Sequence, residues 1–401
     1  MASTYSMWKL ENMTDLHYKC YTAFESLRGA VASLAISPDG KYIAVAGVFG
    51  AAVWDLESLT LPGARNTDKR LFSTSTWLCF DNGSGKTSRY VLILGSLNGD
   101  ITALDLNEEE MELQDKCLPI APSSAHQVVS LDVQQPKVGN RSHARVVASF
   151  ADAIVKCWTL SVDGDFQLVF SMSLETSFLP KTVCFDKEGL HVSVFSEKGG
   201  IRALLDCSTG DVISRIENGC QTMAWVSVDQ ATSRFVASTG SGFQLFDSNN
   251  LNHIRSFAHD MDPGNTFPCQ ITFGENGSKI VGGTSRGETL LFDSDSGLLE
   301  QRMEFPTNKP MAISAVTACT LKDRYYIAVA GTKSASGDPS VVMVWCKLRT
   351  HPVHQSWVSK KLKVDPVIFM YILAGTIVLV VALLLRPAIA NFAIFRPFSG
   401  I

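Results

Sequence analysis

A short strand-like ending that returns seven times limits what this 401-residue chain can fold into. It reads Val53-Trp54-Asp55, Ala103-Leu104-Asp105, Cys157-Trp158-Thr159, Leu204-Leu205-Asp206, Leu245-Phe246-Asp247, Leu291-Phe292-Asp293 and Val344-Trp345-Cys346. The central positions, 54, 104, 158, 205, 246, 292 and 345, lie 41 to 54 residues apart. Before each ending comes a β-rich run closed by small residues, such as Ala44 to Gly47, Val91 to Ser96 or Ile280 to Thr284. Earlier still stands a first strand with a polar turn, as in Ser37-Pro38-Asp39-Gly40 or Phe273-Gly274-Glu275-Asn276-Gly277. Several short strands at even spacing, with turn residues between them, specify a β-propeller, and seven units specify seven blades.

A ring of sheets must close, because an open edge invites pairing with other chains. After Trp345 and Leu348 the chain runs into a polar stretch, which leaves the last blade without an outer strand. The run from His17 to Phe24 alternates as a strand does, so residues 1–24 are expected to supply it. Ser6 to Leu10 is a candidate to pair beside it.

The composition suits a folded body. Hydrophobic residues make up 46% and charged residues 18%, and the net charge of −4 argues against a nucleic-acid binder. The ten cysteines stand singly, with no Cys-x-x-Cys pair and no nearby His at ligand spacing, so no metal is expected. Several lie in apolar runs, as reduced core thiols do. The first thirty residues carry no apolar segment of signal-peptide type. Of four glycosylation sequons, at Asn12, Asn82, Asn140 and Asn276, the second and fourth read more simply as turn residues.

The repeats resemble the WD-repeat family over most of residues 15–350. Blade 3 carries the resemblance best, through His126, Ser149, Asp152 and Trp158. These fall where the family places a hydrogen-bonded set that links the strands of a blade, and the resemblance implies that role for them. Asn98 stands in for the Asp in blade 2, while blades 5 and 6 have Gly240 and Arg286 at corresponding positions.

Residues 349–364 form a basic linker with Lys360, Lys361 and Lys363. Val367 to Leu385 follows, nineteen residues whose one clearly polar side chain is Thr376. As a helix it would span about 28 Å, the thickness of a bilayer core. The expected fold is therefore an all-β seven-bladed propeller over 25–348 plus one transmembrane α-helix over 365–386, with a short far-side tail over 387–401. Lysines before the span, set against Arg386 and Arg396 after it, favour a cytosolic propeller. A span this close to the C-terminus implies tail-anchored insertion. Its strong apolarity favours the endoplasmic reticulum over the mitochondrial outer membrane.

Other motifs have plain readings. Gly83-Ser84-Gly85-Lys86-Thr87-Ser88 looks like a phosphate loop, but Phe80 occupies the first glycine position and no helix follows, so it reads as a turn. The eight histidines share no spacing. Glu108, Glu109 and Glu110 read as a solvated loop, and Trp77 and Trp225 as core. The expected activity is protein binding by a membrane-tethered scaffold, without catalysis, cofactor or metal. The layout of propeller and C-terminal span is also similar to the prolactin regulatory element-binding protein family. That resemblance implies an alternative, nucleotide exchange on a small GTPase in reticulum-to-Golgi trafficking. The family reaches its GTPase with a Gly-rich, lysine-containing loop in the first blade. Here the corresponding Gly47 to Ala52 is short and has no lysine.

Overall fold

The computed structural model describes residues 17–59, 70–81, 88–110, 112–114, 125–139, 143–239, 241–257, 269–305, 311–332 and 339–349. They form seven sheets. The first strand of each blade touches that of the next, from blade 1 round to blade 7 and back again, so the sheets close into a seven-bladed propeller. The compact unit ends at Arg349. The proposed span, its flanking Lys360, Lys361, Lys363 and Arg386, and Trp8 and Trp357 lie outside the described residues.

Blade 1 has strands Val31–Ile36, Tyr42–Gly47 and Gly50–Asp55. Blade 2 runs Phe72–Asp81, Arg89–Ser96, Ile101–Asn107 and Glu112–Gln114, and blade 3 runs Val128–Val133, Ala144–Phe150, Ile154–Leu160 and Phe166–Ser173. Blade 4 has Pro180–Phe185, His191–Ser196, Ile201–Asp206 and Val212–Glu217. Blade 5 has Trp225–Asp229, Arg234–Thr239, Gly242–Asp247 and His253–Phe257, and blade 6 has Ile271–Gly274, Lys279–Gly283, Glu288–Asp293 and Leu299–Glu304. The last blade takes Ala312–Thr320, Arg324–Thr332 and Pro339–Leu348, with Lys19–Arg28 as its outer strand.

That outer strand pairs antiparallel with Pro339–Leu348, from Lys19 opposite Cys346 to Arg28 opposite Pro339. It begins after His17 and continues past Phe24. Irregularities between Cys20 and Thr22 and between Glu25 and Arg28 shift its register, which breaks the alternation a sequence reading depends on. Phe24 stacks on Trp54 of blade 1 with ring centroids 4.4 Å apart, and Tyr21 Oη donates to the Leu56 carbonyl at 2.8 Å. Tyr18 exchanges two backbone hydrogen bonds with the Gln301 carboxamide of blade 6, both 2.8 Å. One strand thus ties blades 6, 7 and 1 together.

The recurring acid after each third strand has a local cause. Asp55, Asp206, Asp247 and Asp293 each accept backbone N–H groups two or three residues on, closing the turn to the fourth strand. In blade 2 Asn107 takes this role, which frees Asp105 to bind Arg89 through three contacts of 2.8 to 3.0 Å. Asn276 sits at φ 56°, in the left-handed turn geometry its sequon position suggested.

Side chains on the first strands lace the inner rim. Ser33 meets Ser75 at 2.9 Å, Ser73 Oγ donates to the Val128 carbonyl at 2.6 Å, and Phe185 N donates to Asp132 at 2.8 Å. Gln270 reaches furthest: it accepts from Val316 N of blade 7 at 2.9 Å and donates to the Ala32 carbonyl of blade 1 at 3.2 Å. These contacts tie the inner strands to their neighbours, and in blade 2 a fifth strand, Lys137–Gly139, pairs parallel with the end of Phe72–Asp81.

Candidate functional site

Antiparallel strands sort the connections onto two faces of the disc. First-to-second and third-to-fourth turns share one face, and the chain leaves the propeller on that face after Leu348. Second-to-third turns and the approaches to each first strand share the other. On this second face stand four large apolar side chains: Val48 (47% exposed), Leu71, Leu97 and Leu179. Val48 and Leu97 occupy the second turns of neighbouring blades 1 and 2. Leu71 leads into blade 2, and its carbonyl accepts from Leu97 N at 2.8 Å, so these two are held side by side. Solvent-facing leucines fixed by backbone bonds on one face have the character of a docking surface.

The blade 3 set is brought together in part. His126 Nδ1 lies 3.2 Å from Asp152 Oδ2, which joins the approach to the blade with its second turn. Ser149 is fully buried, and its hydroxyl takes no partner among the described residues. Trp158 packs in the core shared with blade 2. Asn98 donates its backbone N–H to the Ser96 hydroxyl at 3.2 Å, so this turn is closed by the serine side chain and not by that of Asn98. The run resembling a phosphate loop connects two antiparallel strands, Phe72–Asp81 and Arg89–Ser96, and residues 82–87 lie outside the described residues. Trp77 is buried and donates to the Ala35 carbonyl at 3.0 Å, whereas Trp225 is half-buried beneath Lys181.

Glu108 departs from its reading as part of a solvated loop. It accepts from Lys41 Nζ at 2.6 Å and from Tyr42 Oη at 2.9 Å, so it fastens blade 2 to blade 1. Tyr90 Oη donates to Asp39 beside it. A sequence shows three adjacent glutamates and nothing of the lysine 67 residues away.

Two titratable groups stand out in the seam between blades 3 and 4. Burial pushes the Asp132 carboxyl up to about 7, against the pull of two backbone N–H donors. Cys207 is drawn down to about 7, chiefly by the thiol of Cys157 and then by Arg145, whose Nη1 lies 2.8 Å from its sulfur. Both sulfurs are fully buried, which keeps them from substrates. Among the described residues no three His, Cys, Asp or Glu side chains converge as metal ligands, and nine cysteines are free thiols. Neither a protein-family model nor a curated protein sequence matches this chain.

Proposed function

We propose that this chain is a membrane-tethered scaffold of the WD-repeat type that binds other proteins and carries out no chemistry. The observation that carries the reading is the exposed set Val48, Leu71 and Leu97 on neighbouring blades 1 and 2, on the face opposite the chain's exit. A cytosolic disc held at the reticulum surface by Val367 to Leu385 raises the effective concentration of whatever docks there. Free thiols in the propeller support a reducing compartment. The exchange-factor alternative gains nothing from blade 1, where Gly47 and Gly50 bracket a two-residue hairpin turn.

The test is proximity labelling in cells, with the labelling enzyme fused before Met1, repeated for Val48→Asp and Leu97→Asp. The wild type is expected to label a set of cytosolic proteins that both variants lose while keeping their melting temperature. Labelling of lumenal proteins would overturn the topology. An unchanged set in both variants would move the docking site off this face.

A further inference from the structure

The turns on the exit side of blade 4 carry a second set of solvent-facing aliphatic side chains. Leu190 (63% exposed) ends the first-to-second turn, and Val212 (43%) and Ile213 (51%) begin the fourth strand. Backbone bonds hold the two turns together. The Leu190 carbonyl accepts from Cys207 N at 3.0 Å, and Asp206 N donates to the Asp211 carbonyl at 2.9 Å, closing the loop that leads to Val212. Ile213 is the extra residue of a bulge, since Leu204 faces Ser214 and Leu205 faces Val212 across the ladder. The bulge interrupts the alternation of the strand, and two successive aliphatics meet solvent. Blade 3 extends the patch. Its outer strand exposes Leu168 (57%), two residues from Phe170, and the Phe170 ring packs so closely on Gly210 of the blade 4 turn that a Cβ there would come within 2.6 Å.

Acids border these side chains. Exposed Glu188 stands two residues before Leu190, exposed Asp211 directly precedes Val212, and exposed Asp163 and Asp165 lie in the blade 3 turn that leads to Leu168. Asp211 accepts from the Thr209 hydroxyl at 2.8 Å. None of the four carboxylates has a cation within ion-pairing distance among the described residues, whereas Glu175 is answered by Arg215, Asp295 by Arg234 and Asp323 by Arg324. Lys187 is the one exposed base in the blade 4 turn. The patch is therefore apolar with a negative border. That border repels an anionic lipid surface and attracts a cationic partner.

We propose that this patch docks a basic amphipathic segment of a partner protein, its aliphatic side chains on Leu190, Val212 and Ile213 and its lysines or arginines toward Glu188 and Asp211. Each aliphatic contact supplies affinity by leaving water, and the acids select the sign of the partner's charge. The patch lies on the opposite side of the disc from Val48, Leu71 and Leu97, so the two surfaces are separate.

The test uses the full-length protein in maltoside detergent and two fluorescent synthetic peptides. Both carry leucines along one helix face, with lysines on the other face in one peptide and glutamates in the second. Fluorescence anisotropy, with empty micelles subtracted, reports binding. The lysine peptide is expected to bind and the glutamate peptide to stay free. Leu190→Ser and Ile213→Ser should each weaken binding about tenfold or more. The double variant Glu188→Lys, Asp211→Lys should lose the lysine peptide and gain the glutamate peptide, a reversal that damage to the fold does not produce. Val48→Asp, on the other face, should leave binding unchanged. Equal binding of both peptides, or undiminished binding in the serine variants, would overturn the proposal. So would a lysine peptide that binds no better than to empty micelles, and slowed hydrogen exchange over residues 188–213 in phosphatidylcholine nanodiscs would then assign the patch to a lipid surface instead.

Discussion

Removing the amine of Lys347 should loosen the closure of the ring by a measurable amount. Lys347 stands on the third strand of blade 7, and its Nζ lies 2.8 Å from Glu275 Oε1 in the first turn of blade 6. The two side chains are 15% and 9% exposed, so the pair is nearly dry. The ammonium also lies 5.6 Å from the ring centre of Tyr18 and 5.8 Å from that of Tyr325. The Tyr18 hydroxyl bonds to the same glutamate, and its pKa is raised by burial first and by that carboxylate second. Lys347→Met leaves the carboxylate buried without its cation, a loss of about 3–5 kcal/mol. At about 2.1 cal/mol/K per residue, a propeller of roughly 330 residues unfolds with an entropy near 0.7 kcal/mol/K, so Tm should fall by about 4–7 °C. Glu275→Gln keeps the shape and the left-handed backbone at that position (φ 50°), and should strand the ammonium at similar cost. The double variant Lys347→Met, Glu275→Gln removes both charges and should lose less than the sum of the two by 2 kcal/mol or more. Circular dichroism melts of the four proteins in detergent would decide. A single variant within 1 °C of wild type, or strict additivity, would refute the reasoning.

Three further outcomes are expected. Deleting residues 1–28 strips the outer strand of blade 7 and uncovers Trp54, so the protein should aggregate or melt at least 10 °C lower by differential scanning fluorimetry; an unchanged melt would mean the ring closes without it. Gly95→Ala would set a methyl 2.6 Å from Val128 Cγ1 and 2.8 Å from Thr74 Cγ2, an overpacking cost of about 1–3 kcal/mol, or about 1–4 °C, that Val128→Ala should partly relieve. Asp132 titrates near 7 when folded but near 3.9 when unfolded, so the stability it lends is complete below pH 4 and is lost as pH rises through 7. Asp132→Asn should therefore gain Tm relative to wild type between pH 4.5 and 7.5, and a constant difference across that window would contradict the burial argument.

The architecture was legible because its cause is local. Each aromatic-Asp ending records a strand followed by an Asx turn, and both are set by residues within a few positions of one another. The same locality explains what stayed hidden. Glu108 meets Lys41, Lys347 meets Glu275 and Arg202 reaches Ser248 only after the blades have curled into a ring, so no spacing in the chain announces them. The apolar group on the docking face was invisible for another reason. Leu97 and Val48 look like any strand-end aliphatics, and their exposure follows from which turns share a face. In blade 3 the sequence pattern located the His126–Asp152 pair but not the isolation of the Ser149 hydroxyl.

The way blade 7 is completed has a mechanical consequence. The strand that leads out of the disc, Pro339–Leu348, is not the edge of its sheet but lies between Arg324–Thr332 and Lys19–Arg28. Tension on the chain beyond Arg349 therefore enters a strand bonded on both sides. Pulled along its length, such a strand yields only when two rows of hydrogen bonds shear together, whereas an edge strand peels open one bond at a time. By lending its beginning to cover its own exit, the chain forms a joint that resists traction and stays weak only to the release of its first strand.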